Sequence, residues 1–335
     1  MKDKVRVAFV GSGGIARSHL EGLVKFPDVE LVGFCDVRAE TAAETIQKFA
    51  PKAAMFGTAV EVMDATKPDA VYLCLPPFGH GEAEREAIKR KIPFFVEKPI
   101  HLDYNDAKEI SALVDKKNLL TCVGYMNRYR RGVQRVRELA RKDKPILVHG
   151  GWIGGTPKPP PGVTNIWSWW VTKEKSGGQL HEQSTHTFDI ARYLCGDAKE
   201  VYTVAARGFV KDVAGYTNDD ASHCVIRFKS GAIADIYSSC STNQGGGINL
   251  NVYGGQFCAK FTGWEHSVKI ERSKIESEEI KGEEKIFEIE DRVFIDAVKR
   301  NDKKAPLSNY ADGLKTLRLT LAANESIVTG KPVAL

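Results

Sequence analysis

The chain has 335 residues, of which 42% are hydrophobic and 27% charged, a composition typical of a globular protein with more than one domain. Its formal net charge of +5 is spread along the chain without a basic block, which argues against a nucleic-acid-binding protein. No apolar run is long enough to cross a membrane, the first residues leave no room for a signal peptide, and the 7 cysteines form no CxxC pair, so we expect reduced thiols in a cytoplasmic protein.

The chain opens with an apolar strand pattern at 5–10, followed by the glycine-rich turn GSGGIA (11–16) and an amphipathic stretch. This order of strand, glycine turn and helix is the context that a dinucleotide fingerprint requires. Gly11 permits the tight turn, and Gly13 lets backbone N–H groups approach a pyrophosphate at the start of the helix. Ala16 takes the third glycine position, which a variant of the fingerprint allows.

A second strand pattern, at 30–35, ends in Asp36. An acid at this point accepts hydrogen bonds from the adenosine ribose hydroxyls and repels a 2′-phosphate, so the sequence favours NAD as the cofactor. Arg38 lies close by, and an arginine there can hold the extra phosphate of NADP. NADP therefore remains the alternative.

Strand and helix patterns alternate from here to Gly124. We expect further helices at 40–49, 60–66, 82–90 and 103–116, and strands at 54–56, 70–75, 92–96 and 119–124. Strands separated by helices of this length predict right-handed crossovers and a parallel sheet, and hence a Rossmann domain over residues 1–125. Pro76 and Pro77 make a stiff turn that suits a wall against the nicotinamide ribose, although a plain strand stop explains them equally well.

The stretch PFFVEKP (93–99) places an acid and a base directly after a buried strand. Ligands of open α/β sheets bind beyond the carboxyl ends of the strands, and Pro99 keeps Lys98 out of the α region. We therefore expect cofactor and substrate to meet at Lys98. The competing interpretation is a surface ion pair that caps the strand.

After Gly124 the character of the chain changes. Asn127 and Arg128 lie next to the predicted strand end, where they could reach the cleft, and a basic amphipathic helix begins near Arg130. A strand pattern at 146–152 then leads into a tryptophan-rich segment.

Four of the 5 tryptophans, Trp152, Trp167, Trp169 and Trp170, flank or follow the Pro/Gly-rich loop at 154–162. Core packing would explain any one of them. Their clustering in such a segment indicates an exposed apolar platform, to which the C–H faces of a sugar ring can bind.

The stretch SGGQLHEQSTHTFD (176–189) opens on glycines and continues as a helix pattern to Gly196. If the helix begins near Glu182, then Glu182 and His186 share one face, with Asp189 one turn further. A carboxylate beside an imidazole raises its basicity, so this stretch predicts a general base at His186, with His181 as the competing candidate. HEQSTH has one residue too many for the zinc motif HExxH, so we expect no metal site.

Strand patterns at 201–209, 221–228, 232–239, 248–253 and 257–261, joined by hairpin signals, predict a mainly antiparallel sheet. The charge-rich stretch 265–290 is expected at an exposed edge, before helices at 291–299 and 309–329. Ser308 or Asn309 is expected to cap the last helix, and we expect this helix to pack back on the first domain. The predicted fold class is α/β: a parallel Rossmann sheet, then an α+β domain over 126–335 whose large open sheet suits homo-oligomerisation.

The motifs GSGGIA, Asp36, LPPFGH, VEKPI, GYMNRY and SGGQLHEQSTHTFDIARYL together resemble those of the glucose–fructose oxidoreductase/inositol dehydrogenase (Gfo/Idh/MocA) family, in the same order and over nearly the whole chain. The resemblance implies an NAD(P)-dependent oxidoreductase that transfers hydride between nicotinamide and a secondary alcohol of a sugar, cyclitol or related polyol. It further implies a cis peptide between Lys98 and Pro99, and homodimers or homotetramers built through the C-terminal sheet.

Carried onto the matching positions, the resemblance implies that Lys98 hydrogen-bonds the reacting hydroxyl and that His186 accepts its proton. Glu182, the third predicted catalytic residue, stands where the family has an aspartate, so its carboxylate is displaced by one methylene. The predicted cofactor contacts are Gly11, Ser12, Gly13, Gly14, Ile15, Asp36, Val37, Arg38, Leu75, Pro76, Pro77, His80, Glu97, Lys98 and Asn127. The predicted substrate contacts are Lys98, Arg128, Trp152, Trp170, His181, Glu182 and His186.

Two alternatives to a polyol dehydrogenase remain open. One is a reductase of a non-sugar carbonyl or imine on the same fold. The other is a non-catalytic NAD-binding sensor, against which the pair of Lys98 and His186 argues, because a binding module has no need of a base. A hydrolase is disfavoured, since the sequence contains no G-x-S-x-G elbow.

Overall fold

The computed structural model describes residues 4–156, 167–242, 244 and 246–335, which divide into two compact units. The first unit contains residues 4–126 and 285–314, and the second contains 127–284 and 315–335. Residues 285–314 thus group with the first unit, although the sequence-based division places them in the second domain.

The elements of the first 126 residues alternate strand and helix. The strands are β1 (Val5–Val10), β2 (Val29–Cys35), β3 (Ala54–Phe56), β4 (Ala70–Leu73), β5 (Phe94–Val96) and β6 (Thr121–Val123). The helices are α1 (Gly14–Leu23), α2 (Ala39–Phe49), α3 (Ala59–Thr66), α4 (Glu82–Arg90) and α5 (Tyr104–Lys117).

The remaining elements begin with α6 (Arg131–Lys142) and β7 (Leu147–Ile153). Four helices follow: α7 (Trp167–Trp170), α8 (Lys173–Ser176), α9 (Gly178–Glu182) and α10 (Thr185–Cys195). The strands after them are β8 (Ala198–Ala206), β9 (Ala221–Phe228), β10 (Ile233–Ser239), β11 (Gly247–Tyr253), β12 (Phe257–Thr262), β13 (Ser267–Arg272) and β14 (Ile275–Ile280). The chain ends with α11 (Ile286–Arg300), α12 (Tyr310–Thr329) and β15 (Val333–Ala334).

The sheet of the first unit is parallel throughout and has the strand order β3-β2-β1-β4-β5-β6, which confirms the predicted Rossmann sheet. Four aromatic rings stack across one row of this sheet: Phe34, Phe9, Tyr72 and Phe95 lie on successive strands, with neighbouring ring centroids 5.3, 4.9 and 4.9 Å apart. Because these strands are parallel and in register, their carboxyl ends meet along one edge, where the candidate site lies.

The sheet of the second unit has the order β14-β13-β12-β11-β7-β10-β9-β8-β15. Its neighbouring strands are antiparallel except for β7 and β10, which confirms the predicted mainly antiparallel sheet. Side chains from α6, α10 and α12 form a common core with one face of the sheet. The opposite face exposes apolar side chains, among them Tyr202, Val204, Val225 and Ile233.

Two of the predicted helices differ in the structure. The single helix expected from about Glu182 is wrong: α9 ends at Glu182 and α10 begins at Thr185, with Ser184 between them. The helix expected at 291–299 begins earlier, at Ile286. The predicted cap of the last helix is confirmed for Asn309, whose Oδ1 accepts the Asp312 N–H at 2.9 Å.

Two further predictions fall partly outside the described residues. Most of the Pro/Gly-rich loop at 154–162 lies there, and so does the side chain of Trp167. Among the helices that the structure describes, none combines the length and apolar character needed to cross a membrane.

Candidate active site

The glycine turn after β1 is shaped as a dinucleotide-binding turn requires. Gly11 has φ +87°, and a Cβ there would lie 2.2 Å from the Cys74 carbonyl oxygen, so only glycine fits. A Cβ on Gly13 or Gly14 would meet no atom within 4 Å, so the start of α1 faces open space. The Ser12 hydroxyl is buried in the same turn with no hydrogen-bond partner in the structure. The turn therefore fits a diphosphate, with backbone N–H groups and one hydroxyl available to it.

Asp36 is anchored to this turn by two backbone donors. The Ser12 N–H donates to its Oδ2 at 2.8 Å, and the Arg38 N–H donates to its Oδ1 at 2.9 Å. Each carboxylate oxygen keeps a further lone pair for a ribose hydroxyl. The neighbouring Val37 side chain is 99% exposed, which leaves an apolar surface beside the carboxylate.

The turn after β4 lies between the glycine turn and the end of β5 in the strand order. Leu75 and Pro76 are partly exposed there, and Pro77 begins a short 3₁₀ turn. The His80 side chain is instead fully buried, with Nδ1 2.6 Å from Glu84 Oε1. The pKa of Glu84 is lowered: burial alone would raise it, but His80 and the Gly81 N–H outweigh burial.

β5 ends in Glu97 and Lys98, and the Lys98–Pro99 peptide is cis, as the resemblance implies. Lys98 is partly exposed at the carboxyl edge of the sheet. Glu97 is 2% exposed, and its Oε2 accepts the Lys98 backbone N–H at 3.2 Å. The carboxylate of Glu97 is thus directed at protein groups, while the Lys98 side chain stays at the edge of the sheet.

Glu97 contacts the buried His19, which in turn contacts Asp291, and sequence reasoning identified neither of these two residues. The buried His19 ring places Nδ1 2.8 Å from Asp291 Oδ1 and Nε2 3.0 Å from Glu97 Oε1. Asp291 lies 272 residues further along the chain, on α11, so no local pattern connects it to His19. The only available signal was a histidine on the otherwise apolar face of the first helix.

In the second unit, Arg128 is occupied by a buried ion pair. It is 2% exposed, and its Nε and Nη2 donate to the two carboxylate oxygens of Asp189 at 2.7 and 2.6 Å. The guanidinium also lies over the Tyr193 ring, 4.7 Å from its centroid. Asp189 also accepts from the Thr316 hydroxyl at 2.9 Å, so both of its carboxylate oxygens are held by groups of the second unit.

Asn127, predicted as a cofactor contact, is 3% exposed. Its Oδ1 accepts from Arg130 Nε at 2.7 Å, which fixes the orientation of the amide and leaves the NH₂ group as its donor. Arg130 is itself fully buried, and burial lowers its pKa to about 10.

Glu182 and His186 lie on successive short helices. His186 is partly exposed in the first turn of α10, and Glu182 is 5% exposed at the end of α9. Glu182 Oε2 accepts the Trp170 indole N–H at 2.9 Å. Trp170 is fully buried, in a small cluster with Val171 and Cys240, rather than on an exposed platform; Trp152 is partly exposed.

His181 is fully buried, and its Nδ1 lies at hydrogen-bond distance, 2.9 Å, from Thr320 Oγ1. The Thr320 hydroxyl also lies within hydrogen-bond distance of two main-chain oxygens of its own helix. The ring also packs on Gly177, where a Cβ would lie 2.4 Å from His181 Cδ2.

The described residues contain no group of three or more His, Cys, Asp or Glu side chains that could hold a metal ion. The groups that the structure brings together in the first unit lie in a row along one sheet edge. Asp36 follows β2, the glycine turn follows β1, Leu75 and Pro76 follow β4, and Lys98 follows β5, which is the order of these strands in the sheet. The row matches the parts of a dinucleotide, from adenosine ribose through diphosphate to nicotinamide.

Comparison with known protein families matches both halves of the chain to one family of oxidoreductases. Residues 5–125 match the model of the oxidoreductase family with an NAD-binding Rossmann fold, and residues 144–256 match the GFO/IDH/MocA C-terminal domain.

Among curated relatives, the chain is 27% identical to scyllo-inositol 2-dehydrogenase (NAD(+)) of Bacillus subtilis over 100% of this chain and 97% of that protein. It is 27% identical to myo-inositol 2-dehydrogenase of Thermotoga maritima over 75% of this chain and 73% of that protein. Among solved structures, an NAD binding oxidoreductase from Klebsiella pneumoniae has a TM-score of 0.87 at 20% identity over 99% of both chains. The chain therefore belongs to the GFO/IDH/MocA family of oxidoreductases, with NAD as its cofactor.

Proposed function

We propose that the protein is an NAD-dependent dehydrogenase that oxidises a secondary alcohol of a sugar, cyclitol or related polyol. The observation that carries the proposal is the order of Asp36, the glycine turn, Leu75–Pro76 and Lys98 along one sheet edge. This is the order expected of a dinucleotide site with a lysine near the nicotinamide. The substrate class is taken from the inositol dehydrogenases among the relatives, at 27% identity.

A bound NAD would supply the acceptor for the hydride that leaves the carbinol carbon. Lys98 donates a hydrogen bond to the reacting oxygen and stabilises the negative charge that grows there as the proton departs. His186 accepts that proton as the general base. Glu182, whose carboxylate accepts the Trp170 indole N–H, binds a substrate hydroxyl, and His181 is a second candidate for contact with the substrate.

We also propose that NAD is preferred over NADP. Asp36 is held by the backbone N–H groups of Ser12 and Arg38, so its carboxylate cannot move away from a 2′-phosphate without losing both hydrogen bonds. A carboxylate fixed beside the adenosine ribose repels a 2′-phosphate. We expect kcat/KM with NAD to exceed that with NADP by at least about tenfold, and Asp36→Ser to reduce the ratio.

The substrate assignment is tested by following NADH formation with a panel of inositols and sugars, with NAD and NADP in parallel. On the substrate that turns over fastest, we expect Lys98→Met and His186→Asn each to lower kcat by about two or more orders of magnitude. The dissociation constant of NADH, measured by fluorescence titration, should change little. Lys116→Met removes an exposed lysine of the same unit and serves as the matched control.

Near-normal turnover in either variant would remove that residue from the mechanism. Tight NADH binding by the wild type without turnover of any polyol would favour the non-catalytic sensor. Turnover confined to aldehydes or imines would favour the reductase.

A second copy of the chain is the partner that we propose for the open face of the second sheet. Tyr202 on β8 lies opposite Val225 on β9, and both are exposed. Val204 on β8 and Ile233 on the neighbouring β10 are exposed as well. An apolar face of this kind is typical of an interface. Light scattering should report a dimer or tetramer, and Val225→Arg should shift it towards monomer; a wild-type monomer would contradict the proposal.

We also propose that the enzyme is cytoplasmic, because its cysteines are free thiols.

A further inference from the structure

A buried array of ionisable groups connects three elements of the first unit. His19 on α1 is fully buried, and its two ring nitrogens lie 2.8 Å from Asp291 Oδ1 and 3.0 Å from Glu97 Oε1. The Tyr72 hydroxyl donates to the same Asp291 oxygen at 3.1 Å. The rings of Phe95 and Phe287 pack edge-on against the imidazole, at centroid distances of 4.8 and 5.3 Å. The array thus joins the helix of the glycine turn, the end of β5 and α11.

The imidazole of His19 is protonated in this array. Burial by itself would lower its pKa, but the carboxylates of Asp291 and Glu97 more than offset this and raise the pKa to about 10. Both ring nitrogens therefore carry hydrogens, and each donates to one carboxylate. Burial raises the pKa of Asp291, which His19 and the Tyr72 hydroxyl counteract.

The array ends at the backbone of Lys98. One oxygen of Glu97 accepts from His19, and the other accepts the Lys98 N–H at 3.2 Å. Gly124 closes the remaining side, since a Cβ there would lie 2.3 Å from Glu97 Oε1. The Glu97 carboxylate can therefore hold only one orientation as long as His19 donates to it, and that orientation fixes the residue that carries the reactive ammonium group.

We propose that His19 and Asp291 are positioning residues, which hold Glu97 and through it Lys98 in the geometry needed for catalysis. The proposal rests on the proposed role of Lys98 in a dehydrogenase. A buried ion cluster contributes little net stability compared with apolar side chains of the same size. We infer that the cluster instead fixes the position of Lys98. Such positioning matters because 1 Å of displacement at a reacting group can lower the rate about 100-fold.

A double-mutant cycle tests whether His19 acts through Lys98. On the best substrate we expect His19→Leu to lower kcat by about 10- to 100-fold, with the NADH dissociation constant within about threefold of the wild type. In the Lys98→Met background the same change should lower kcat less than about twofold, because there is no ammonium group left to position. Losses that multiply across the two sites would overturn the proposal, since they indicate a general structural defect.

Two further variants separate positioning from loss of fold. Asp291→Asn keeps the shape of the side chain while removing its charge, and it too should lower kcat. It serves as the test variant if His19→Leu fails to fold. Val62→Ala removes buried apolar atoms from α3, a helix of the same unit that contains no residue of the array. It should lower the melting temperature and leave kcat unchanged; an equal loss of kcat in Val62→Ala would overturn the proposal.

A readout without turnover keeps this proposal separate from the proposed function. The rate at which trinitrobenzenesulfonate labels Lys98, followed by peptide mass spectrometry, should change at least about threefold in His19→Leu or Asp291→Asn, while labelling of Lys116 stays constant. If the wild type oxidises no polyol, the proposed function fails and the labelling decides the positioning role by itself. Unchanged labelling of Lys98 would refute that role.

Discussion

Gly11 and Gly13 of the first turn are predicted to have different roles, one in stability and one in cofactor binding. Alanine substitutions distinguish the two roles. In Gly11→Ala the residue keeps φ +87°, which costs about 1–2 kcal/mol for a side chain other than glycine. The new Cβ also lies 2.2 Å from the Cys74 oxygen, a backbone atom that cannot turn away, and such overpacking adds roughly 1–3 kcal/mol. The expected loss of about 2–5 kcal/mol corresponds to a fall in melting temperature of roughly 5–15 °C.

Gly13→Ala is the matched comparison. Gly13 has φ −74° and ψ −163°, which alanine adopts readily, and no atom lies within 4 Å of the new Cβ. We expect the melting temperature to fall by no more than about 3 °C, from the poorer helix cap. The methyl group instead occupies the approach of the diphosphate, so NADH affinity should fall at least about tenfold.

Differential scanning fluorimetry and NADH fluorescence titration measure the two effects on the same protein samples. Wild-type stability in Gly11→Ala would contradict the assigned close approach to Cys74. Wild-type NADH affinity in Gly13→Ala would mean that the cofactor does not lie over this turn.

Two other expectations concern stability. Asp189→Asn leaves the buried Arg128 without a charged partner and should lower the free energy of unfolding by about 3–5 kcal/mol in urea titrations. Asp197→Asn, whose carboxylate is 40% exposed and pairs with the 54% exposed Lys315, should lower it by less than about 1 kcal/mol; equal effects would contradict the burial argument. His19 has its pKa raised from 6.5 to about 10, so its charge stabilises the fold fully below pH 6.5, and the contribution declines by up to about 1.4 kcal/mol per pH unit until about pH 10. The stability difference between the wild type and His19→Gln should therefore shrink over that range, and a constant difference would show that His19 is neutral.

The Rossmann half could be predicted from sequence because its signals are local. Each strand is a short apolar run that ends at a glycine, a proline or an acid, and each pattern matched an element of the parallel sheet within a few residues. Lys98 could be placed at the carboxyl edge for the same reason. The residue that follows each apolar run marks the end of a buried strand.

The polar interior could not be predicted, because its partners are distant in the sequence. Arg128 pairs with Asp189, 61 residues further along the chain, and His19 contacts Asp291, 272 residues further along. Between α9 and α10, Ser184 is buried and donates its hydroxyl hydrogen to Ser238 Oγ at 2.7 Å, a tertiary hydrogen bond that helix periodicity does not reveal.

Transfer of deuterium tests the central claim most directly. Inositols and sugars that carry deuterium at the carbinol carbon would be incubated with NAD and the enzyme, and the nicotinamide C4 of the NADH formed would be examined by NMR. We predict that deuterium appears at C4 with at least one of these polyols and that Lys98→Met and His186→Asn nearly abolish its appearance. Binding of NADH without label transfer from any polyol, or undiminished transfer in either variant, would contradict the proposed dehydrogenase.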